Sequence, residues 1–579
     1  MLICGVKVSH DGGVAVIRDN RLLFSIELEK LDNAERYSSL GDLRRVARIL
    51  RSEGIDPSEV DRYVVDGWFT EGDEQNPVSV IASTDGGDPL DLTVAPYQDR
   101  GKQDPLERYT FDGYDFAPGR EGYASYHHVS NHLLGAYCSS PFAARGEDAL
   151  VLVWDGSMVP RLYHVQAGTR TVTPIASLLP ITGNSFADFS SRFEPFDRPT
   201  EGFTADEVMR HHLSIAGKAM AYAALGRVEP DSFPIFGELV TGFPSVSTDN
   251  AKLVGEKVAV NREQLFPGLS NADLIASFQA YLGEALLHSL ILRLRRAPSR
   301  VLTKLLGGRL GKRPNLVLGG GCGLNIKWNN LLRGSGLFDD VWVPPFPNDS
   351  GAALGTACCE MFREGGHLAL EWDVYSGPRL RRGPVPAGWE VRPFDEYQLA
   401  GLLHTEGEPV VVLDGRAEIG PRALGNRSIL APATGLVMKE RLNRIKDRAH
   451  YRPVAPICLT SRAAEVFDPG GADPYMLFEH HMRPGWAERV PAVVHLDGTA
   501  RLQTIDSSAG SATGRILEAY ERISGIPVLC NTSANLNGSG FFPDVESAAK
   551  WGGTRYIWSE QKLYTNPAFT GWNTGDSPL

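Results

Sequence analysis

The opening residues alternate between short apolar runs and turn residues: Leu2 to Val8, the turn His10-Asp11-Gly12-Gly13, Val14 to Arg18, the turn Asp19-Asn20, then Leu22 to Leu28. Runs of this length punctuated by Asp, Asn and Gly predict strands joined by tight turns. Residues 149–177 repeat the pattern, with Ala149 to Trp154, the turn Asp155-Gly156, Arg161 to Gln166, the turn Ala167-Gly168-Thr169, and Arg170 to Ile175. Two copies of strand, Asp-Gly turn, strand, turn, strand predict a duplicated unit. Between and beyond them the pattern changes period. Leu274, Phe278, Leu282, Leu286 and Leu290 recur at helical spacing, which predicts a long amphipathic helix over 271–296.

An Asp-Gly turn between strands sets a carboxylate and several backbone N–H groups at a sheet edge, suited to a metal ion or to phosphate oxygens. Two such turns facing one another make a cleft, which is the logic of an actin-like nucleotide fold. Leu316-Val317-Leu318 runs into Gly319-Gly320-Gly321 and on to Asn325, a buried strand entering a glycine-rich turn that lets backbone approach an anion. No acidic ribose ligand follows in a βαβ unit, so a dinucleotide site is disfavoured. Pro344 to Gly351 then breaks into a small-residue helix, placing Asp349 near a helix start. The density of Gly, Pro and Arg over 376–388 signals a linker between a first domain, 1–375, and a second, 389–579.

The chemistry of the second domain is concentrated in GRAEIGPRALGNR from Gly415, NRIKDRAHYRPVAP from Asn443, DGTARLQ from Asp497, and the strand Val528-Leu529-Cys530 leading into Asn531-Thr532-Ser533. Arg416, Arg422, Arg427, Lys446, Arg448, Arg452 and Arg501 lie beside glycines, prolines and polar turns. Cations at rigid loop positions suit phosphate or carboxylate through charge-assisted hydrogen bonds.

Composition narrows the class. A chain of 579 residues implies two or more domains, and its net charge of -12 argues against a nucleic-acid backbone as the main partner. The basic run from Arg293 through Arg313 reads as a solvated helix end. Seven scattered cysteines without a CxxC pair point to free thiols in a reducing cytoplasm. The N-terminus lacks a basic region followed by a long apolar run, and no apolar stretch of 18 or more residues occurs, so no membrane partner is expected.

His128 and His132 are four apart, so on a helix their imidazoles project from one face and converge on one ion. Two histidines make half a metal site, and Asp155 and Asp349, both in turns, are the carboxylates that could complete it. A metalloprotease is ruled out because no Glu follows His128 to make HExxH.

Taken together these motifs resemble the O-carbamoyltransferase family that includes the nodulation-factor, cephem and tobramycin carbamoyltransferases. The matching stretches are the His10-Asp11 turn with Glu27 and Glu29, His128 and His132, Asp155-Gly156, Gly217-Lys218-Ala219-Met220, Gly319-Gly320-Gly321 with Asn325, and Asn348-Asp349-Ser350-Gly351. GPRALGNRS, NRIKDRAHYRPVAP, DGTARLQT and CNTSAN continue the match in the second half. The segment between Val94 and Tyr123 reads as an insertion, and Lys30 stands where the family continues with an acidic-arginine pair.

The resemblance implies an α/β protein with a duplicated actin-like (ASKHA, threonylcarbamoyl-transferase-like) N-terminal domain plus an α/β YrdC-like C-terminal domain. It implies an ATP-dependent carbamoyltransferase that makes carbamoyl adenylate from carbamoyl phosphate and ATP, with Mg alongside ATP, and transfers the carbamoyl group to a small-molecule alcohol, natural-product or sugar-like. Carried over by motif position, Lys446, Arg452, Arg501, Asn531 and Ser533 would bind carbamoyl phosphate or its adenylate, with Arg422 and Arg427 as nearby phosphate contacts. Gly217, Lys218, Gly319, Gly320, Gly321 and Asn325 would bind nucleotide. His128, His132, Asp155 and Asp349 would hold a divalent metal, iron first, with zinc or manganese as alternatives. His10 or Asp11 would take the alcohol's proton, His10 being favoured because imidazole titrates close to neutral pH. A homodimer is compatible with the sequence. A tRNA-modifying relative is disfavoured by the acidic charge, and a non-catalytic actin-like switch leaves the Arg- and Lys-rich second half without a purpose.

Overall fold

The computed structural model describes residues 1–69, 76–84, 87–99, 104–243, 250–296, 313–507 and 511–571. Residues 297–312, most of the basic run, lie outside that set. Contacts divide the chain into two compact units: Met1–Leu28 with Arg36–Ser376 and Ile419–Pro421, and Glu29–Glu35 with Gly377–Glu418 and Arg422–Leu579.

The first unit is mixed α/β. Its strands are β1 (Leu2–Lys7), β2 (Gly13–Arg18), β3 (Arg21–Glu27), β4 (Arg62–Asp66), the hairpin β5 (Val78–Ser83) and β6 (Pro89–Val94), β7 (Tyr109–Phe111), β8 (Tyr123–Tyr126), β9 (Ala149–Val153), β10 (Arg161–Gln166), β11 (Thr171–Ser177), β12 (Leu316–Gly319) and β13 (Val341–Trp342). One sheet runs β3-β2-β1-β4-β8-β7 and another β11-β10-β9-β12-β13. In both, three antiparallel strands form the edge meander and the first strand of the meander then pairs in parallel with a later strand. The repeat read from the turns is thus a repeat of sheet topology.

Two helices lie against the first sheet because small residues let backbones meet. A Cβ on Gly5 of β1 would stand 2.0 Å from Ala353 O, and one on Gly355 would stand 2.2 Å from Asn131 O. The helix Ala352–Glu360 therefore packs directly on β1 and on the helix His128–Cys138. That contact brings the residue just before one helix, Asp349, toward the first turns of the other. The helix Asn271–Arg296 is long and apolar enough by composition to span a bilayer, yet Leu274, Phe278, Leu282, Leu286 and Leu290 are all buried within the unit.

The second unit carries an eight-stranded sheet whose spatial order is Glu390–Pro393, Lys562–Thr565, Tyr556–Ser559, Val410–Leu413, Arg427–Pro432, Val528–Ser533, Ala455–Leu459 and Gln503–Ile505. Its centre is fully buried and aliphatic, as the runs Val410 to Leu413 and Ile429 to Ala431 show. The helices Glu396–Glu406 and Ala512–Ser524 pack together on it. The sheet draws the motifs into one neighbourhood: Ser428 pairs with Ser533, and Ala455 with Asn531.

Candidate functional site

His128 and His132 open the helix His128–Cys138, and both are buried. Their Nε2 atoms face one another at 3.0 Å. Asp349 Oδ1 lies 3.4 Å from each Nε2, and Asp155 Oδ2 lies 3.7 Å from each. Adjacent donors around an ion at about 2.1 Å sit about 3.0 Å apart in an octahedron and about 3.4 Å apart in a tetrahedron. The four side chains therefore fit an ion with mixed nitrogen and oxygen ligation, the combination that suits iron, zinc or manganese.

Three of the four candidate ligands are held by a second partner. Asp66, at the end of β4, accepts from His128 Nδ1 at 2.9 Å, which leaves Nε2 free to bind metal. Asp155 accepts from Gly321 N at 2.6 Å on Oδ1 and from the Tyr97 hydroxyl at 2.7 Å on Oδ2. Asp349 Oδ2 faces Lys7 Nζ at 2.9 Å and His10 Nε2 at 3.6 Å. Burial opposes charge on both imidazoles, but Asp66 and Asp349 hold His128 well above the usual range, and Asp155 raises His132. Burial likewise opposes charge on the carboxylates, yet His132 holds Asp155 well below the ordinary value and Lys7 does so for Asp349. The cluster thus compensates its carboxylates with protons, and an ion that displaces those protons takes over the same compensation.

In the second unit, Arg448 Nε and Nη2 and Arg501 Nε are buried without a hydrogen-bond partner. Burial and the neighbouring Arg452 push Arg448 down to about 9, and burial with Arg452 and Arg448 pushes Arg501 to about 10. A guanidinium keeps its proton in proteins, so these depressions record desolvation and mutual repulsion that a bound anion would offset. Lys446 Nζ donates to the Ser533 and Asn535 carbonyls and to Asn535 Oδ1, and Ser533 Oγ donates to Asn535 Oδ1 at 2.7 Å. Asn531 is anchored by its amide to Gln503 Oε1 at 2.6 Å and keeps a buried Oδ1 without a partner.

The description Carbamoyltransferase N-terminus matches residues 2–110 and 115–358, and Carbamoyltransferase C-terminus matches 401–556. The chain belongs to the carbamoyltransferase family. It is 42% identical over 575 residues to Nodulation protein U of Sinorhizobium fredii, covering 98% of this chain and 100% of that one. Nodulation protein U of Rhizobium tropici is 44% identical over 98% of this chain and 96% of its own. The 3'-hydroxymethylcephem-O-carbamoyltransferase of Amycolatopsis lactamdurans is 33% identical over 93% and 94%.

Not every residue singled out in this carbamoyltransferase has a free binding group. Arg427 is buried, and its guanidinium donates to the carbonyls of Asp414, Gly415 and Asn426. It organises the loop carrying Arg422 instead of presenting itself as a phosphate contact. Gly217 and Lys218 lie inside the helix Ala205–Tyr222, where backbone amides are already bonded, and Lys218 Nζ donates to Ser214 Oγ at 2.9 Å. Neither supplies the free backbone N–H expected of a phosphate cradle. Asn325 caps the helix Ile326–Gly334 through Oδ1 and accepts from Gln279 Nε2. Of the glycine turn, Gly319 ends β12, Gly320 adopts φ +87° within 2.4 Å of Trp154 O for any added Cβ, and Gly321 spends its N–H on Asp155. The turn thus serves the candidate metal ligand.

His10 Nδ1 lies 2.9 Å from Asp11 Oδ2, and His10 Nε2 lies 3.6 Å from Asp349 Oδ2. Residues that the motifs missed are Lys7, Asp66, Tyr97 and Glu418. Glu418 Oε1 accepts from the backbone of Leu424, Asn426 and Arg427, which fixes the loop after Arg422. The signal available for Lys7 and Asp66 was a charged residue directly after a run of apolar ones at a strand end. Arg448 was visible as part of the basic motif, but its burial was not.

Proposed function

We propose that this carbamoyltransferase is an ATP-dependent O-carbamoyltransferase, with residues 389–579 a YrdC-like domain that forms carbamoyl adenylate and residues 1–375 an actin-like domain that transfers the carbamoyl group to a hydroxyl of a small natural-product or sugar-like acceptor. The observation that supports the reading is the cluster of Arg448, Arg452 and Arg501, in which buried Arg448 Nε and Nη2 and Arg501 Nε have no hydrogen-bond partner and the guanidiniums repel one another. Carbamoyl phosphate, water and ATP would yield carbamoyl adenylate, phosphate and pyrophosphate. Arg448, Arg452 and Arg501 would neutralise the phosphates, and Asn531 Oδ1 would accept from the carbamoyl amide. The cephem relative, whose name specifies O-carbamoyl transfer, supports oxygen as the acceptor atom. The matching strand orders of the two sheets in the first unit support the actin-like assignment.

In the first unit, His128, His132, Asp155 and Asp349 would hold the ion, which supplies Lewis-acid polarisation when bound. His10, oriented through Nδ1 by Asp11, would take the acceptor hydroxyl's proton at Nε2. Incubation with ATP, Mg and carbamoyl phosphate should release pyrophosphate and phosphate together. A metal-loaded protein that releases neither would refute the reading, and labelled carbamoyl phosphate offered with a panel of alcohols would identify the acceptor class.

A further inference from the structure

The ion pair of Lys7 and Asp66 is buried to 1% side-chain exposure on each side, with Nζ 2.6 Å from Asp66 Oδ2. Such a pair is costly to bury, and apolar residues of similar volume commonly stabilise a fold as well or better. Its placement gives it another use. Lys7 ends β1 and Asp66 ends β4, parallel neighbours in which Val6 is opposite Val65, so sheet register brings the two side chains together. From there Lys7 reaches the ligand Asp349 at 2.9 Å, while Asp66 reaches the ligand His128 with both carboxylate oxygens, at 2.9 and 3.0 Å. The Asn131 side-chain amide also donates to Asp66, and the Trp68 ring lies 3.9 Å beneath the ammonium. Every group needed to fix the pair is present.

We propose that Lys7, by offsetting the charge of Asp66, holds the metal centre to a divalent ion against a trivalent one, and that Asp66 positions His128. The inference rests on the metal-site reading above. With both histidines bound as neutral ligands, Asp155, Asp349 and Asp66 contribute three negative charges and Lys7 removes one. Lys7 thus lowers the negative charge facing the ion by one, and in a desolvated setting that change weighs more against a trication than against a dication. Asp11 stands one residue further out, beyond His10, and is common to every variant compared below.

The test uses the full chain as wild type, K7M, D66N and the double variant K7M/D66N, each titrated with the redox-inert probes Zn2+ and Ga3+ presented as chelates, with bound metal counted by mass spectrometry. K7M should raise the ratio of trivalent to divalent affinity by about tenfold or more. D66N should weaken both ions by about 10- to 100-fold, the usual cost of losing a partner behind a ligating histidine, and lower the ratio. The double variant restores the charge and should return the ratio to near wild type. A ratio unchanged across the series, or moved the same way by both single variants, overturns the inference, because a purely structural pair would weaken both ions alike. If K7M does not fold, K7Q removes the same charge. Wild type that binds neither ion would refute the metal-site reading itself. Wild type that binds one ion, with variants that do not separate, refutes only the role of the pair.

Discussion

Tyr97 and Asp155 are joined by a 2.7 Å hydrogen bond from the phenol to Oδ2, while the Tyr97 ring stacks on His128 at 4.6 Å between centroids. One side chain thus restrains two of the four candidate ligands. Tyr97→Phe keeps the ring and removes the bond. Metal affinity, measured by chelator competition, should fall by about tenfold, toward the lower end of what partners of ligands contribute. Unchanged affinity would show that Gly321 N–H alone suffices to hold Asp155.

His132→Ala removes one ligand of the cluster in the first unit without touching the arginines of the second. Bound metal should drop below stoichiometric and carbamoyl transfer should be lost, while pyrophosphate release from ATP and carbamoyl phosphate stays within about twofold of wild type, because uncoupled sites behave additively. Equal loss of both activities would contradict the division of labour proposed here.

Arg448→Ala should raise the Kd for carbamoyl phosphate by about 10- to 100-fold, the equivalent of one hydrogen bond to a charged group. Arg448→Lys should recover little of it, since an ammonium cannot supply the forked, planar donor set. Isothermal titration with carbamoyl phosphate and the unfolding temperature read together decide the matter: a variant that binds normally would remove Arg448 from the site.

Gly355→Val should destabilise the first unit by about 2–4 kcal/mol, because a Cβ there falls 2.2 Å from Asn131 O and both neighbours are packed backbone. The expected signature is a lowered unfolding temperature accompanied by weakened metal binding, since the same contact sets the helix His128–Cys138 against the residues that follow Asp349. An unfolding temperature equal to wild type would show that the two helices can part without cost.

Much of the site was legible locally. A four-residue spacing on a helix is enough to align two imidazoles, and an Asp-Gly turn is enough to put a carboxylate at a strand end, so His128, His132 and Asp155 follow from period and turn chemistry alone. Their convergence with Asp349, whose place before a small-residue helix was all that chain order showed, follows from Gly5, Gly135 and Gly355 letting β1 and two helices approach within backbone contact. The roles of Arg427, Asn325 and the glycine turn read differently in three dimensions for one reason. A donor or acceptor looks available in sequence until its hydrogen-bond partner is known.

The chain by itself determined the strand and turn repeat, the helical spacing of the histidines, the glycine positions and the supply of cations in the second half, since each depends on neighbours a few residues away. Tertiary structure decided which of those groups are already committed, which guanidinium nitrogens are buried without a hydrogen-bond partner, and that Lys7 and Asp66 stand behind the ligands. Those facts depend on burial and on pairings between residues 59 to 342 positions apart, as in Lys7 with Asp66 and with Asp349, which no local pattern encodes.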